Sequence, residues 1–381
     1  MFDPIKASKE IKDSYIDYIT TTFDMADTDY AREFRKELQA DGMVASGPFL
    51  DIGGSYETGH TLRELIQAQK ASVLFESLEP VAEKERELKL DRPLYQHQEA
   101  AMLKAGKGEN LVVTTGTGSG KTESFLLPII DHLLREQEAG TLSAGVRAII
   151  IYPMNALAND QMKRMRALFK NYPQICYGVY NGNTEHTQSK ALAEYHRTYH
   201  DEAGEPIDPA PNEIISREIM QEKPPHILIT NYSMLEYMML RPKDDAVFSG
   251  AKLKFIVLDE AHIYKGATGM ETSLLMRRLR ARISEPDSVQ YILTSATLGG
   301  PDADGDILSF AEKLCGVAFQ RSGIIRSTEK RPAMEDYLDF APALFEELQK
   351  SPDISSVLAR YHADFAPGGS EGEKLYALFL H

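Results

Sequence analysis

The sequence predicts an α/β fold: a phosphate-binding-loop domain with a mostly parallel sheet, preceded by a helical region. Three observations carry this. From about Leu94, short apolar runs alternate with helical patterns, the rhythm of βαβ construction. One run, "NLVVTT", passes through the glycine-rich turn "GTGSG" into "KTESFLLPIIDHLL", the strand, turn and helix start that a phosphate cradle requires. A later run, "KFIVLDE", ends in two adjacent carboxylates at the sheet edge where open α/β folds bind ligands.

Residues 1–90 read as a helical N-terminal accessory region. "SKEIKDSYIDYITTTF" and "TDYAREFRKELQADG" space apolar residues three to four apart, the second opening on a Thr/Asp cap and closing on Gly42. The turn-rich "VASGPFLDIGGSYETGHT" separates them from a further predicted helix, "LRELIQAQKASVLFESL". Residues 91–316 are assigned to the nucleotide-binding domain. Its predicted strands are "NLVVTT", "VRAIIIYP", "CYGVYNG", "HILITN", "KFIVLDE" and "QYILTSAT", nearly all continuous apolar runs as expected for strands buried on both faces. Residues 184–225 are polar and read as an insertion of helices and loop outside the sheet, and residues 317–381 as a linker or the start of a second domain.

A net charge of -15 argues against general polyanion binding, so any nucleic-acid surface must be local. Two basic stretches qualify: "MKRMRALFK" reads equally as a solvated helix face or as part of a strand path, and "RRLRAR" as a strand contact, as part of the interface with a second domain, or as a partner of acidic neighbours. Cys176 and Cys315 form no metal or disulfide pattern and read as plain buried thiols. No apolar run reaches membrane-spanning length and the N-terminus lacks a signal-peptide core, so a cytoplasmic protein without membrane partners is expected.

The chemistry follows from the two loops. Gly116, Gly118 and Gly120, with Thr117 and Ser119 between them, let successive backbone N–H groups face one point at a helix N-terminus. Lys121 then reaches the β- and γ-phosphates of a nucleotide and Thr122 offers its hydroxyl to Mg²⁺. The strict pattern wants glycine where Thr115 stands. Asp259 is placed to hold Mg²⁺ and Glu260 to orient or deprotonate the attacking water, with His262 following. A third strand end, "ILTSATL", carries Ser295 and Thr297, hydroxyls that can bond the "DEAH" turn and pass on its state.

A P-loop, then "DEAH", then "SAT", each at a strand end, resembles the RecA-like core of superfamily 2 helicases. In that family the loop tolerates a residue other than glycine at Thr115. The resemblance covers roughly Leu94 to Gly316 and implies ATP and Mg²⁺ as cofactors. "YQHQEAAM" is similar to the adenine-reading Q motif, through Gln98. "YPMNALANDQ", "YNG" and "TNYSMLEYMMLRP" resemble motifs Ia, GG and Ib, which touch one strand's backbone in these helicases; this implies Pro153, Asn155, Gln161, Gly182, Thr230 and Asn231 as nucleic-acid contacts. "DEAHIYKGATGMETSLLMRRLRARI" is similar to the large DUF1998-associated group, which contains mitomycin-repair and RecQ4-like DNA helicases and bacterial phage-defence helicases.

Helicase ATPase sites lie between two RecA-like domains, and no "QxxGRxGR" string appears after Thr297. The expectation is an N-terminal fragment whose second RecA-like domain is absent or incomplete, weakly active or inactive alone. DNA is the expected partner, with RNA left open because backbone contacts carry little base information. Two further readings stand beside it: a nucleotide-gated interaction module within a larger defence or repair complex, and a P-loop kinase, which leaves "SAT", Ia and Ib unexplained.

Overall fold

A computed structural model describes residues 4–23, 25–40, 42–46, 56–78, 88–116, 118–201, 204–296, 301–330, 342–351, 353–363, 368, 369, 371, 374, 375 and 378. The chain forms two compact units, Met1–Ser55 with Lys330–His381, and Tyr56–Glu329. The first unit opens on α1 (Pro4–Thr22) and α2 (Thr28–Gln39), linked by an Arg35–Asp17 ion pair. The cap of α2 is Asp27, one residue ahead of the expected Thr28–Asp29: its carboxylate accepts from the N–H groups of Asp29 and Tyr30.

In the second unit, β1 (Thr58–Thr61) pairs antiparallel with β2 (Pro93–Tyr95). α3 (Leu62–Gln67) starts in a capping box between Thr61 and Glu64. The expected long helix stops there. Gln69 turns left-handed at φ 56, and Val73–Leu78 form a separate 3-10 turn. The apolar spacing is met by two short pieces, because Leu62, Leu65, Phe75 and Leu78 all reach the core from either side of the break. Residues 1–90 are therefore not uniformly helical.

The remaining elements alternate as βαβ construction requires. They are α4 (Gln96–Ala105), β3 (Leu111–Thr114), α5 (Lys121–Glu138), β4 (Ala148–Ile151), α6 (Asn155–Phe169), β5 (Tyr177–Tyr180), α7 (Gln188–Thr198), β6 (Glu213–Ile214), α8 (Arg217–Glu222), β7 (Ile227–Thr230), α9 (Tyr232–Leu240), α10 (Asp245–Ser249), β8 (Phe255–Leu258), α11 (Gly266–Arg282), β9 (Gln290–Ser295), α12 (Asp304–Cys315) and β10 (Ile324–Arg326). The sheet order is β10-β3-β9-β8-β4-β7-β5-β6, with every pairing parallel. The six predicted strands are β3, β4, β5, β7, β8 and β9, the interior of this sheet.

Both edge strands differ from expectation. β6 lies within residues 184–225, so that segment adds a strand to the sheet as well as helices outside it. β10 follows residue 316 and pairs with β3, and β1 precedes residue 91, so the unit is wider than 91–316 at both ends. Strands this short carry no readable periodicity.

Successive strand residues serve opposite faces. Leu111, Val113, Ala148, Ile150 and Val257 pack against Phe125, Ile129 and Leu133 of α5 and Met165 of α6. Val112, Ile149, Ile151, Ile256 and Leu258 pack against Leu235 of α9, Leu275 and Leu279 of α11 and Leu314 of α12. Burial of each Val, Leu, Ile, Phe or Met among these contributes about 1.5–3 kcal/mol. Two covered faces hold the sheet rigid, so its carboxyl edge keeps the loops in fixed register.

Cys315 is buried and Cys176 half-buried, both free. The first unit resumes with α13 (Pro342–Lys350) and α14 (Ile354–Arg360), where Leu344, Val357 and Leu358 form a small core. No helix among the described residues is long and apolar enough to cross a membrane.

Candidate functional site

The turn after β3 folds on its own hydroxyls. The Ser119 hydroxyl donates to the Thr115 hydroxyl at 2.7 Å and lies 2.8 Å from the Gly116 carbonyl, and Thr115 N–H donates to Ser295 O at 3.1 Å. Thr115 thus closes the loop where the strict pattern places glycine. Gly118 and Gly120 adopt φ 76 and 71, the left-handed region that favours glycine. Gly116 is needed for close approach, since a Cβ there would meet the Tyr56 hydroxyl at 2.9 Å. Thr117 lies outside the described residues.

Behind the loop stands α4. Gln98 Nε2 donates to Gly120 O at 3.0 Å while its Oε1 accepts from Tyr95 N–H at 3.0 Å. Buried and held at both ends, Gln98 braces the loop. Its neighbour His97 donates from Nε2 to Ser119 O at 2.8 Å and is stacked on Tyr95. Burial pushes the His97 pKa down, so the ring stays neutral, and its Nδ1 has no hydrogen-bond partner among the described residues. Tyr56 and His97 were missed in the sequence; "YQHQ" held the signal, because a histidine beside a loop-bracing glutamine points to the same loop.

At the end of β8 the carboxylates meet the loop lysine. Lys121 Nζ donates to Glu260 Oε1 at 3.2 Å. Glu260 sits at φ 48, a left-handed conformation uncommon for this residue type, which turns its side chain away from that of Asp259. Glu260 Oε2 lies 3.3 Å from His262 Nδ1, and that nitrogen lies 3.2 Å from the Ser295 hydroxyl. Thr294, absent from the sequence-derived set, donates its hydroxyl to Asp259 and accepts from Glu260 N–H at 3.3 Å. Burial pushes the Asp259 carboxyl up, partly offset by the Thr294 hydrogen bond.

Two carboxylates here share the field of one ammonium, Lys121, and beyond its approach to His262 Nδ1 the buried Glu260 Oε2 has no hydrogen-bond partner among the described residues. An oxygen-ligated divalent cation suits that charge excess, and Thr122 opens α5 beside Lys121. Among the described residues nothing lies within 4 Å of a Cβ placed on Gly118, which leaves the loop's mouth open to phosphates. The residues therefore fit a nucleotide with Mg²⁺. Thr297 lies outside the described residues.

Further along the same edge, the motif residues are stitched together. Asn231 caps α9 through its Oδ1, 2.8 Å from Met234 N–H, and its Nδ2 donates to Asn155 Oδ1 at 2.8 Å. The Thr230 hydroxyl donates to Tyr180 O at 2.7 Å. Pro153 lies on the β4–α6 turn and Gly182 on the exposed turn after β5. Gln161 is well into α6, and no hydrogen bond joins it to the Asn155–Asn231 pair. Its Oε1 is buried without a partner among the described residues.

The arginines of the basic stretches make internal contacts. Arg164 contacts Glu123 on α5, and Arg166 makes a two-oxygen pair with Glu213 at 2.7–2.9 Å while covering Tyr199. Arg278, Arg280 and Arg282 pair with Glu236, Asp287 and Asp245, and Arg277 bonds Ser273 and Lys313 O. Arg278, Arg280 and Arg282 thus take the acidic-neighbour reading of "RRLRAR", and Arg164 and Arg166 tie α6 to α5 and β6 where a solvated face or a strand path was expected.

A P-loop, an acidic pair and a hydroxyl-bearing strand end, side by side on a RecA-like sheet, define a nucleotide-dependent motor domain. The DEAD/DEAH box helicase family matches residues 95–203 and 204–304, and the chain belongs to that family. The Druantia protein DruE of Escherichia coli (strain UMEA 4076-1) is 33% identical over 85% of this chain and 22% of its own length. ATP-dependent helicase HRQ1 of Saccharomyces cerevisiae (strain ATCC 204508 / S288c) is 30% identical over 54% of this chain and 16% of its own. The chain thus spans less than a quarter of either relative. DEAD-box helicase Mss116, solved with ssRNA and UDP-BeF, aligns with TM-score 0.52 at 17% identity over 81% of this chain and 55% of that one. DUF1998 helicase MrfA, solved bound to DNA, aligns with TM-score 0.50 at 24% identity, 71% of this chain and 29% of that one. Both share the fold.

Proposed function

We propose that the chain is the ATP-binding motor domain of a cytoplasmic DNA helicase or translocase that couples hydrolysis to movement along a strand. The observation that carries this is the chain of contacts Lys121–Glu260–His262–Ser295, which ties the loop, the acid pair and β9 into one unit. Without a nucleotide, Lys121 neutralises Glu260. With phosphates in the loop, Lys121 turns to them and Glu260 is released to orient a water and take its proton. Mg²⁺ held through Thr122 and Asp259 would supply charge that spreads the load on the β- and γ-oxygens. His262 and Ser295 then register the change in Glu260 on β9, and Thr115 N–H on Ser295 O returns it to the loop. Pro153, Asn155, Gly182 and Asn231 offer the strand path.

The DUF1998-like run around "DEAHIYKGATG" supports a role in phage defence or DNA repair. The test is ATPase of the chain, and of any longer form that carries a second RecA-like domain, with matched single-stranded DNA and RNA. Stimulation by DNA supports the proposal and stimulation by RNA alone moves the substrate to RNA. No stimulation by either overturns it.

One observation favours the interaction-module reading. Tyr237 and Leu240 on α9, and Met270 and Leu274 on α11, are 55%, 64%, 66% and 55% exposed. Under that reading Lys121→Ala abolishes co-purification with a protein partner. Under the motor reading it leaves assembly intact.

A further inference from the structure

A row of polar side chains crosses the sheet at its carboxyl edge. Ile151 pairs with Leu258 and Leu258 with Leu293, so the next residues, Tyr152, Asp259 and Thr294, stand side by side on three adjacent strands. Ile150, Val257 and Ile292, two positions earlier, all face α5 and α6, and the row shares that face. Neighbouring strands lie about 4.8 Å apart. The backbone fixes the row: Asp259 N–H donates to Ile151 O at 3.1 Å, and Tyr152 N–H to Thr230 O at 2.9 Å. Thr294 spends its hydroxyl on Asp259. Tyr152, on the other side of the acid, does not.

Tyr152 is 1% exposed, and its hydroxyl is buried without a hydrogen-bond partner among the described residues. Phenylalanine would fill the same space without stranding a polar atom, so packing alone gives no reason for the oxygen. The surrounding charges give one. Those acting on the phenol are Asp259 and Arg164 of α6, which also contacts Glu123 of α5. A rotatable hydroxyl turns its hydrogen toward the carboxylate and its oxygen toward the guanidinium. Burial, reinforced by the Asp259 charge, holds the phenol well above its ordinary pKa, so it remains a donor. Tyr177 and Tyr291 bury unpartnered hydroxyls too, but near the starts of β5 and β9, and Tyr264 packs on the opposite face. Of these four, Tyr152 alone shares the row of Asp259.

We propose that Tyr152 is a positioning residue for Asp259, its hydroxyl donating to the carboxylate from the β4 side, as Thr294 does from the β9 side, once the acid engages a divalent cation. This rests on the nucleotide and Mg²⁺ reading above. A carboxylate braced from both neighbouring strands keeps one orientation, and such outer partners of a metal ligand are worth about 10- to 100-fold in metal affinity. The first residue of "YPMNALANDQ" thereby serves the nucleotide site, although the run as a whole resembles a strand-contacting motif.

The experiment titrates Mg²⁺ into the chain with a fluorescent ATP analogue and reads the concentration that half-saturates the complex. Analogue binding in EDTA and the melting temperature of the unliganded chain are measured alongside. Tyr152→Phe is expected to raise the Mg²⁺ half-saturation about tenfold and to leave binding in EDTA unchanged. It should not lower the melting temperature, since it removes an unpartnered atom. Tyr291→Phe, which removes the same group outside the row, should leave all three readings as in the unaltered chain. With Asp259→Asn already in place, Tyr152→Phe should shift the Mg²⁺ dependence no further. An unchanged half-saturation in Tyr152→Phe overturns this inference alone, and so does an equal shift in Tyr291→Phe or in the Asp259→Asn background. A lower melting temperature together with weaker binding in EDTA assigns the hydroxyl to packing and overturns it too. If the unaltered chain binds the analogue equally in Mg²⁺ and in EDTA, the Mg²⁺ reading falls and this inference with it.

Discussion

The two halves of the sheet's carboxyl edge are built on opposite principles. Around β3, β9 and β8, side chains from different loops hold one another through contacts a ligand can exchange: Lys121 on Glu260, Glu260 beside His262, His262 by Ser295. Around β4, β7 and β5, side chains are spent on internal stitches, Asn231 on Asn155 and Thr230 on Tyr180 O. The first half can swap partners, whereas the second presents turns held rigid from behind. A nucleotide that turns over suits the former. A polymer backbone that repeats along its length suits the latter.

Substitutions can break this contrast. The largest effect is expected from Glu260→Gln, which keeps the shape but removes the base: phosphate release should fall by about 10²- to 10⁴-fold while nucleotide affinity holds. A proportional loss of both would put Glu260 in binding rather than hydrolysis. Next, Arg166→Met should cost about 3–5 kcal/mol in urea unfolding, because Glu213, with its side chain 1% exposed, is left buried without its partner. Unchanged stability with weaker DNA binding would return Arg166 to the strand path.

Asn231→Ala should cost about 1 kcal/mol through the lost cap of α9. It should also weaken strand binding without touching nucleotide affinity. A change confined to the nucleotide side would mean the two halves are not separate. The smallest effect concerns pH. His226 accepts from Cys176 N–H at Nδ1 and reaches Ser143 O through Nε2, so it must be neutral, and burial holds its pKa below the usual 6.5. The unfolded chain takes that proton more readily, so this stability is present above pH 6.5 and fades as pH falls through the folded value. His226→Gln should therefore make thermal midpoints less steep with pH below about 6.5. An unchanged slope would assign the acid sensitivity elsewhere.

The interior strands were legible in the sequence because both-face burial forces unbroken apolar runs. The P-loop and "DEAH" were legible because phosphate binding needs glycine, lysine and carboxylates close together in the chain. β6 and β10 were not, being two and three residues long and set by distant partners, as Ile324 pairs with Val112; β1, "TGHT", has no apolar run to read. Thr294 was hidden among strand residues, beside the Ser295 that "YILTS" had already singled out.

The strand order carries one more consequence. β3 and β8, which end in the P-loop and the acid pair, are not adjacent: β9 lies between them, paired to both. At about 4.8 Å per strand, this sets the two loops about 10 Å apart. β9 is thus a spacer of fixed width, and its last two side chains, Thr294 and Ser295, stand in the gap it creates. Changing the size of either refills that slot but leaves its width, which the backbone pairing of β9 fixes, as it was.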